Sequence, residues 1–198
     1  EARLSARRLL SRGLSLRVGG VDVPATLTCP AERGSDERHP LVVFSGGFAT
    51  AGSQYDDFAG RLALGGCAVL RYDAPFASFS SDCEQVGVLR SVLDAAAESR
   101  AVGRLADAGR VLLAGHSRGA KLSSLAALAD DRVQGLCLLD PVDNTRWTEG
   151  RPGFPSACEA MHRTSVARPL PVAIVGAGAG GECAPGQANY LAFFAAAE

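Results

Sequence analysis

Val111-Leu112-Leu113-Ala114-Gly115-His116-Ser117-Arg118-Gly119-Ala120-Lys121 decides the reading of this 198-residue chain. Four apolar residues read as a buried strand, a serine flanked by glycines follows, and a helix-forming stretch runs over residues 121–129. In that setting Gly115-His116-Ser117-Arg118-Gly119 is a nucleophile elbow. The serine occupies a tight bend between strand and helix, and glycines two residues to either side keep side chains out of the bend. With 23 glycines in the chain the pentapeptide alone carries little weight, so the strand before it and the helix after it are what give it meaning.

Working outward, residues 41–44, 67–70, 133–139 and 172–175 are further short apolar runs, the pattern of parallel strands covered on both faces. Helical stretches at 55–64, 83–97, 121–129 and 189–197 supply the crossovers. The alternation predicts an α/β fold: a mostly parallel central sheet with helices on both faces and right-handed connections. Ahead of it, residues 14–18 and 21–28 alternate apolar and polar around Gly19-Gly20, which predicts an antiparallel hairpin at the sheet edge. Residues 142–171 lack periodicity and carry Trp147, Phe154, Met161 and four prolines. They read as a loop-rich excursion over the sheet, either a plain connection or a lid.

Composition bounds the function. Hydrophobic residues make up 47% and charged residues 21%, enough for one core and a single domain over residues 1–198. A formal net charge of -1 with scattered arginines argues against nucleic acid as a partner. No apolar run approaches the roughly 20 residues that span a bilayer. Arg3, Arg7, Arg8 and Arg12 among Leu, Ser and Ala have the character of an organelle transit segment. The six cysteines show no metal-binding spacing. Cys67 and Cys137 read as buried free thiols, and Cys158 and Cys183, in loops, are open to pairing.

In an open parallel sheet the ligand site lies beyond the carboxyl ends of the strands, so the residues after each apolar run belong together. They are Ser45-Gly46-Gly47-Phe48, Asp73-Ala74-Pro75-Phe76, Ser117, Asp140-Pro141-Val142-Asp143 and residues 176–182. Ser117 is the candidate nucleophile. Backbone N–H groups of Arg118 and Phe48 are the candidate oxyanion donors. Asp140, which ends its strand and precedes a proline, is the candidate acid, with Asp143 and Glu182 as alternatives. Phe48, Phe76, Phe79, Trp147 and Phe154 are candidate walls of a broad apolar mouth.

The base is the missing part. His39 precedes the first buried strand at the opposite end of the sheet and reads as solvent-facing. His116 adjoins Ser117, directed away from its hydroxyl, and supports the elbow. His162 has the right order in the chain after Ser117 and Asp140 but precedes the next strand.

These residues resemble the chlorophyllases of the α/β-hydrolase superfamily. Gly115 to Lys121 is similar to the family's GHSRGGK elbow, with Ala120 in place of its second glycine, and Asp140-Pro141-Val142-Asp143 to its DPVD segment. Pro171-Val172-Ala173-Ile174-Val175-Gly176 resembles its PVLVIG strand, and Cys183-Ala184-Pro185 its CAP tripeptide ahead of Asn189 and Phe193-Phe194. Gly46-Gly47-Phe48 stands where the family has HGF. The resemblance implies an α/β-hydrolase fold and hydrolysis of the phytyl ester of chlorophyll to chlorophyllide and phytol, without metal or organic cofactor. It also implies a chloroplast location, with peripheral contact to thylakoids or photosynthetic complexes. The family continues past the Phe-Phe helix into another strand and a loop bearing the catalytic histidine, so that piece is expected outside residues 1–198. Two other readings stay open: a pigment-binding or assembly subunit that keeps the fold without catalysis, and a general lipid or carboxyl esterase.

Overall fold

Two ten-residue strands, β1 (Leu9–Val18) and β2 (Val21–Pro30), pair antiparallel with Val18 opposite Val21. The two-residue turn between them puts Gly19 at φ 56° and Gly20 at φ 84°, the conformation that matches the twist of a hairpin and that glycine adopts freely. This is the expected edge hairpin, and the computed structural model describes it together with the rest of residues 8–31, 38–74, 80–164, 169–178 and 181–197.

The hairpin joins β3 (His39–Ser45), β4 (Ala68–Tyr72), β5 (Ala106–His116), β6 (Val133–Leu139) and β7 (Val172–Val175) in a seven-stranded sheet of order β1-β2-β4-β3-β5-β6-β7. β2 pairs β4 antiparallel, and β4, β3, β5, β6 and β7 are mutually parallel. Each of the five apolar runs is one of these parallel strands. The period of two then divides their side chains between two cores. Leu41, Val43, Leu70, Leu113 and Leu138 face one core, under α2 (Asp82–Glu98), α4 (Arg118–Ala127), α5 (Ala157–Thr164) and α6 (Tyr190–Ala197). Val42, Phe44, Val69 and Ala114 face the other, under α1 (Asp56–Leu64). A one-turn helix, α3 (Arg100–Gly103), precedes β5. Among the described residues no helix is long and apolar enough to cross a membrane.

Three departures from the sequence reading have physical causes. β4 runs two residues past its apolar stretch, because the guanidinium of buried Arg71 pairs with Asp56 and donates to Gly52 O. β5 begins five residues early, pairing Ala106 and Asp107 with His39 and Pro40 before a register shift. Residues 142–171 are not wholly irregular: they contain α5. Ser156 Oγ accepts the Glu159 N–H at 3.1 Å, so Ser156-Ala157-Cys158-Glu159 is a helix-start signal that went unread.

Candidate active site

β5 ends at His116 and α4 begins at Arg118, leaving Ser117 alone in the bend at φ 54°, ψ −121°. For a residue with a Cβ this backbone is strained by about 1–3 kcal/mol and persists only where its surroundings over-determine it. They do so here. Ser117 N–H donates to Leu139 O at 3.0 Å, and its carbonyl accepts from Ala120 N–H at 3.1 Å, Lys121 N–H at 3.4 Å and Val142 N–H at 3.3 Å. A serine that starts a helix ordinarily turns its hydroxyl onto a helical N–H. Ser117 makes no such bond, so its hydroxyl is left for other chemistry.

The flanking glycines are set by contact distance. A Cβ on Gly119 would lie 2.2 Å from Ser45 O, and one on Gly115 2.4 Å from Gly119 O. The start of α4 therefore crosses the ends of β3 and β5 closer than a methyl group permits. Gly119→Ala is expected to cost about 3 kcal/mol, the upper end for an inserted methyl in a packed interior. Urea denaturation measures this, and an unchanged midpoint would show that α4 can lift away freely.

After β3, the Gly46-Gly47-Phe48 loop is held by Tyr55. Gly47 N–H donates to Tyr55 Oη at 2.9 Å, and Tyr55 Oη lies 2.9 Å from His116 Nδ1. Thr50 N–H donates to Gly47 O at 3.3 Å. Phe48, 60% exposed, makes no backbone N–H hydrogen bond among the described residues. Arg118 N–H occupies the first position of α4. A cavity of about 420 Å³ opens between these groups, lined by Gly47, Phe48, Tyr72, Asp73, Arg118 and Leu122.

Asp140 follows β6, whose last residue already bonds Ser117, so the structure sets this carboxylate beside the elbow. It is held at φ 40°, with its N–H on Val175 O at 2.6 Å and its Oδ1 accepting Ala177 N–H at 3.1 Å. The alternative acids are otherwise engaged. Asp143 accepts from Ser156 Oγ (2.6 Å), Ala157 N–H (2.9 Å) and Cys158 N–H (3.2 Å), which makes it the anchor of α5. Glu182 is exposed and pairs with Arg146 at 3.3 Å.

The histidines divide as follows. His39 is not solvent-facing: it is half-buried, donates from Nδ1 to Gly66 O at 3.0 Å, and buries an Nε2 without a partner among the described residues. Its place at the start of β3 is the edge away from Ser117. His162 is exposed in the last turn of α5, on the stretch that returns the chain to the start of β7. His116 meets Tyr55 as described; burial lowers its pKa, and the charge of Asp140 opposes that shift.

The aromatic mouth is not assembled as expected. Phe48 lines the first cavity, but Phe154 lines a second one of about 780 Å³ with Cys83, Asn144, Arg151 and Cys158. Trp147, 49% exposed, lines neither and stacks under the Arg146 guanidinium at 4.5 Å. Asn144 Nδ2 donates to Phe154 O at 3.0 Å and, through its Oδ1, ties that segment to Lys121 of α4. Phe76 and Phe79 lie outside the described residues. No disulfide forms among the described residues, so Cys158 and Cys183 are not paired, and burial with the Asp143 charge pushes Cys158 up to about 12. Among the described residues no group of His, Cys, Asp or Glu is arranged to hold a metal ion.

Behind the elbow lies a buried ionic cluster that sequence reading missed. Asp82 receives Arg118 Nε at 2.7 Å and Lys121 Nζ at 2.6 Å. Lys121 also donates to Asn144 Oδ1 at 2.6 Å and lies 3.6 Å from Asp143 Oδ1. Asp82 and Lys121 are each 2% exposed. The signal was present: a lysine inside an otherwise small and apolar helical stretch requires a buried counter-charge.

No family model matches the chain, and no curated protein matches it. Among solved structures it is similar to a protein assigned as a dienelactone hydrolase from Klebsiella pneumoniae subsp. pneumoniae MGH 78578. The TM-score is 0.65 at 17% identity, covering 85% of this chain and 72% of that one. An esterase from Pyrobaculum calidifontis is similar with a TM-score of 0.61 at 19% identity, covering 85% of this chain and 55% of its own. The chain thus shares the fold of these proteins, a mostly parallel sheet with antiparallel edge strands.

Proposed function

We propose that this chain carries the nucleophile of a serine carboxylic-ester hydrolase. The observation that supports this most is Ser117 itself: a strained backbone, locked by four hydrogen bonds, that leaves the hydroxyl off the helix it precedes. Ser117 Oγ would attack the ester carbonyl carbon while a base takes its proton. Phe48 and Arg118 N–H groups would donate to the carbonyl oxygen and stabilise the charge that forms on it. The alcohol leaves with the proton from the base, and water then cleaves the acyl-enzyme by the same route to release the acid. Asp140 would orient the base. His39 and His162 stand at the wrong edge and His116 is engaged with Tyr55, so this reading assigns the base to none of the three.

For the substrate, the motifs from Gly115 to Lys121, Asp140 to Asp143 and Cys183 to Pro185 favour the phytyl ester of chlorophyll, a reading that goes with a chloroplast location. A general esterase is the second reading, favoured by the separation of Phe48, Trp147 and Phe154, which leaves no single broad apolar wall among the described residues. The test treats full-length protein with a fluorophosphonate and follows turnover of chlorophyll and of short acyl esters. The expected result is covalent labelling of Ser117 and release of chlorophyllide. Labelling with turnover of short esters alone would give the general esterase, and an unlabelled Ser117 would sink the hydrolase reading.

A further inference from the structure

A loop that begins Gly46-Gly47 has more backbone freedom than any other dipeptide would give it, yet an oxyanion donor works only if its direction is fixed before charge develops. Two peptide planes matter. The first carries Gly47 N–H, which Tyr55 Oη accepts at 2.9 Å. The second joins Gly47 C=O to Phe48 N–H, and its carbonyl accepts Thr50 N–H at 3.3 Å. In a trans peptide C=O and N–H point oppositely, so the Thr50 bond turns Phe48 N–H away from the loop interior and leaves it unengaged.

Tyr55 is in turn held at both ends. Its ring packs on Phe44 at a centroid distance of 4.6 Å, and the turn it closes is tied to the end of β4 through Gly52 N–H to Asp73 Oδ1 at 2.8 Å. Its hydroxyl, having accepted from Gly47, has its own proton to give, and His116 Nδ1 is the acceptor at 2.9 Å. That arrangement needs a neutral His116 with its proton on Nε2. The fit is close: a Cβ on Gly47 would lie 2.9 Å from His116 Nδ1 and 3.2 Å from Tyr55 Oη, so only glycine allows the approach.

We propose that Tyr55 and His116 are positioning residues, a two-member hydrogen-bond relay that locks the oxyanion loop to the residue preceding the nucleophile and so aims Phe48 N–H. Its consequence for rate rests on the hydrolase reading, whereas its consequence for the loop rests on geometry alone. Neither residue touches the reacting atoms.

The experiment compares Tyr55→Phe, His116→Leu and His116→Asn in the full-length protein, by amide hydrogen exchange over residues 46–51 and by ester kinetics. Tyr55→Phe and His116→Leu should both speed exchange of the Gly47 amide. They should lower kcat about 10- to 100-fold with KM little changed, the size of effect a misdirected catalytic group produces. His116→Asn should restore most of the rate and the protection, because its Oδ1 hangs on the same Cγ as Nδ1 and accepts the phenol proton. A purely packing role would not be rescued in this way. Unchanged exchange in both Tyr55→Phe and His116→Leu would overturn the relay, and so would a His116→Asn variant as slow as His116→Leu. If the wild-type protein turns over no ester, the hydrolase reading falls, and the exchange measurements still decide the relay.

Discussion

Ser117→Ala is expected to lower kcat/KM for ester cleavage by at least about 10³-fold, the loss found when a hydrolytic nucleophile is removed and only binding and oxyanion stabilisation remain. The fold should survive intact. Its hydroxyl caps no helical N–H, so removing it leaves no buried donor or acceptor stranded. The four backbone bonds that lock the bend involve Ser117 N and O, which alanine retains. Alanine also bears the same Cβ at φ 54°, so the strain is unchanged. Chemical denaturation should therefore give the wild-type midpoint while steady-state hydrolysis collapses. Turnover within tenfold of wild type, in protein free of wild-type carry-over, would remove Ser117 from the mechanism. A lowered midpoint would show instead that the hydroxyl is structural.

The elements that the sequence revealed are those whose environment repeats along the chain. A strand buried on both faces must be apolar at every position, so residues 41–44 or 111–114 announce themselves without knowledge of their neighbours. The elbow was legible for a related reason, since the bend tolerates few residues at Gly115 and Gly119. What stayed hidden depends on partners far away in the chain. α5 buries only Ala157 and Met161, and its start is anchored by Asp143, fourteen residues upstream of the Ala157 N–H it accepts. Tyr55 reads as the first aromatic of a helix, and nothing local announces that its hydroxyl meets His116, 61 residues on. Arg71 looks like the end of a strand until Asp56 and Gly52 are seen against it. The aromatic walls failed differently. Knowing that Trp147 and Phe154 follow a strand says which edge they occupy but not which way an aperiodic loop turns them, and they turn to Arg146 and Arg151.

Asp82→Ala is expected to destabilise the protein by about 3–5 kcal/mol, the cost of leaving buried cations without their counter-charge. Its carboxylate is shared. One oxygen takes Arg118 and the other Lys121, and those side chains leave α4 at its first and fourth residues. Asp82 itself starts α2, after Ser81 and Glu84 have closed a capping box, so the cluster bolts the start of α2 to the start of the elbow helix. Without it Arg118 keeps Ser80 O at 2.7 Å and can reach solvent past Phe48, but Lys121 retains only Asn144 and a 3.6 Å approach to Asp143. Lys121→Met should cost less than Asp82→Ala, because Asp82 then keeps its bond to Arg118. The double variant should cost less than the sum of the two, since the alanine no longer strands an ammonium group, and a coupling of about 0.5–3 kcal/mol is the range for such neighbours. Urea denaturation of the three variants measures each term. A loss below about 1 kcal/mol for Asp82→Ala would mean that the cluster behaves as an exposed ion pair, and the account of how the elbow helix is anchored would have to be given up.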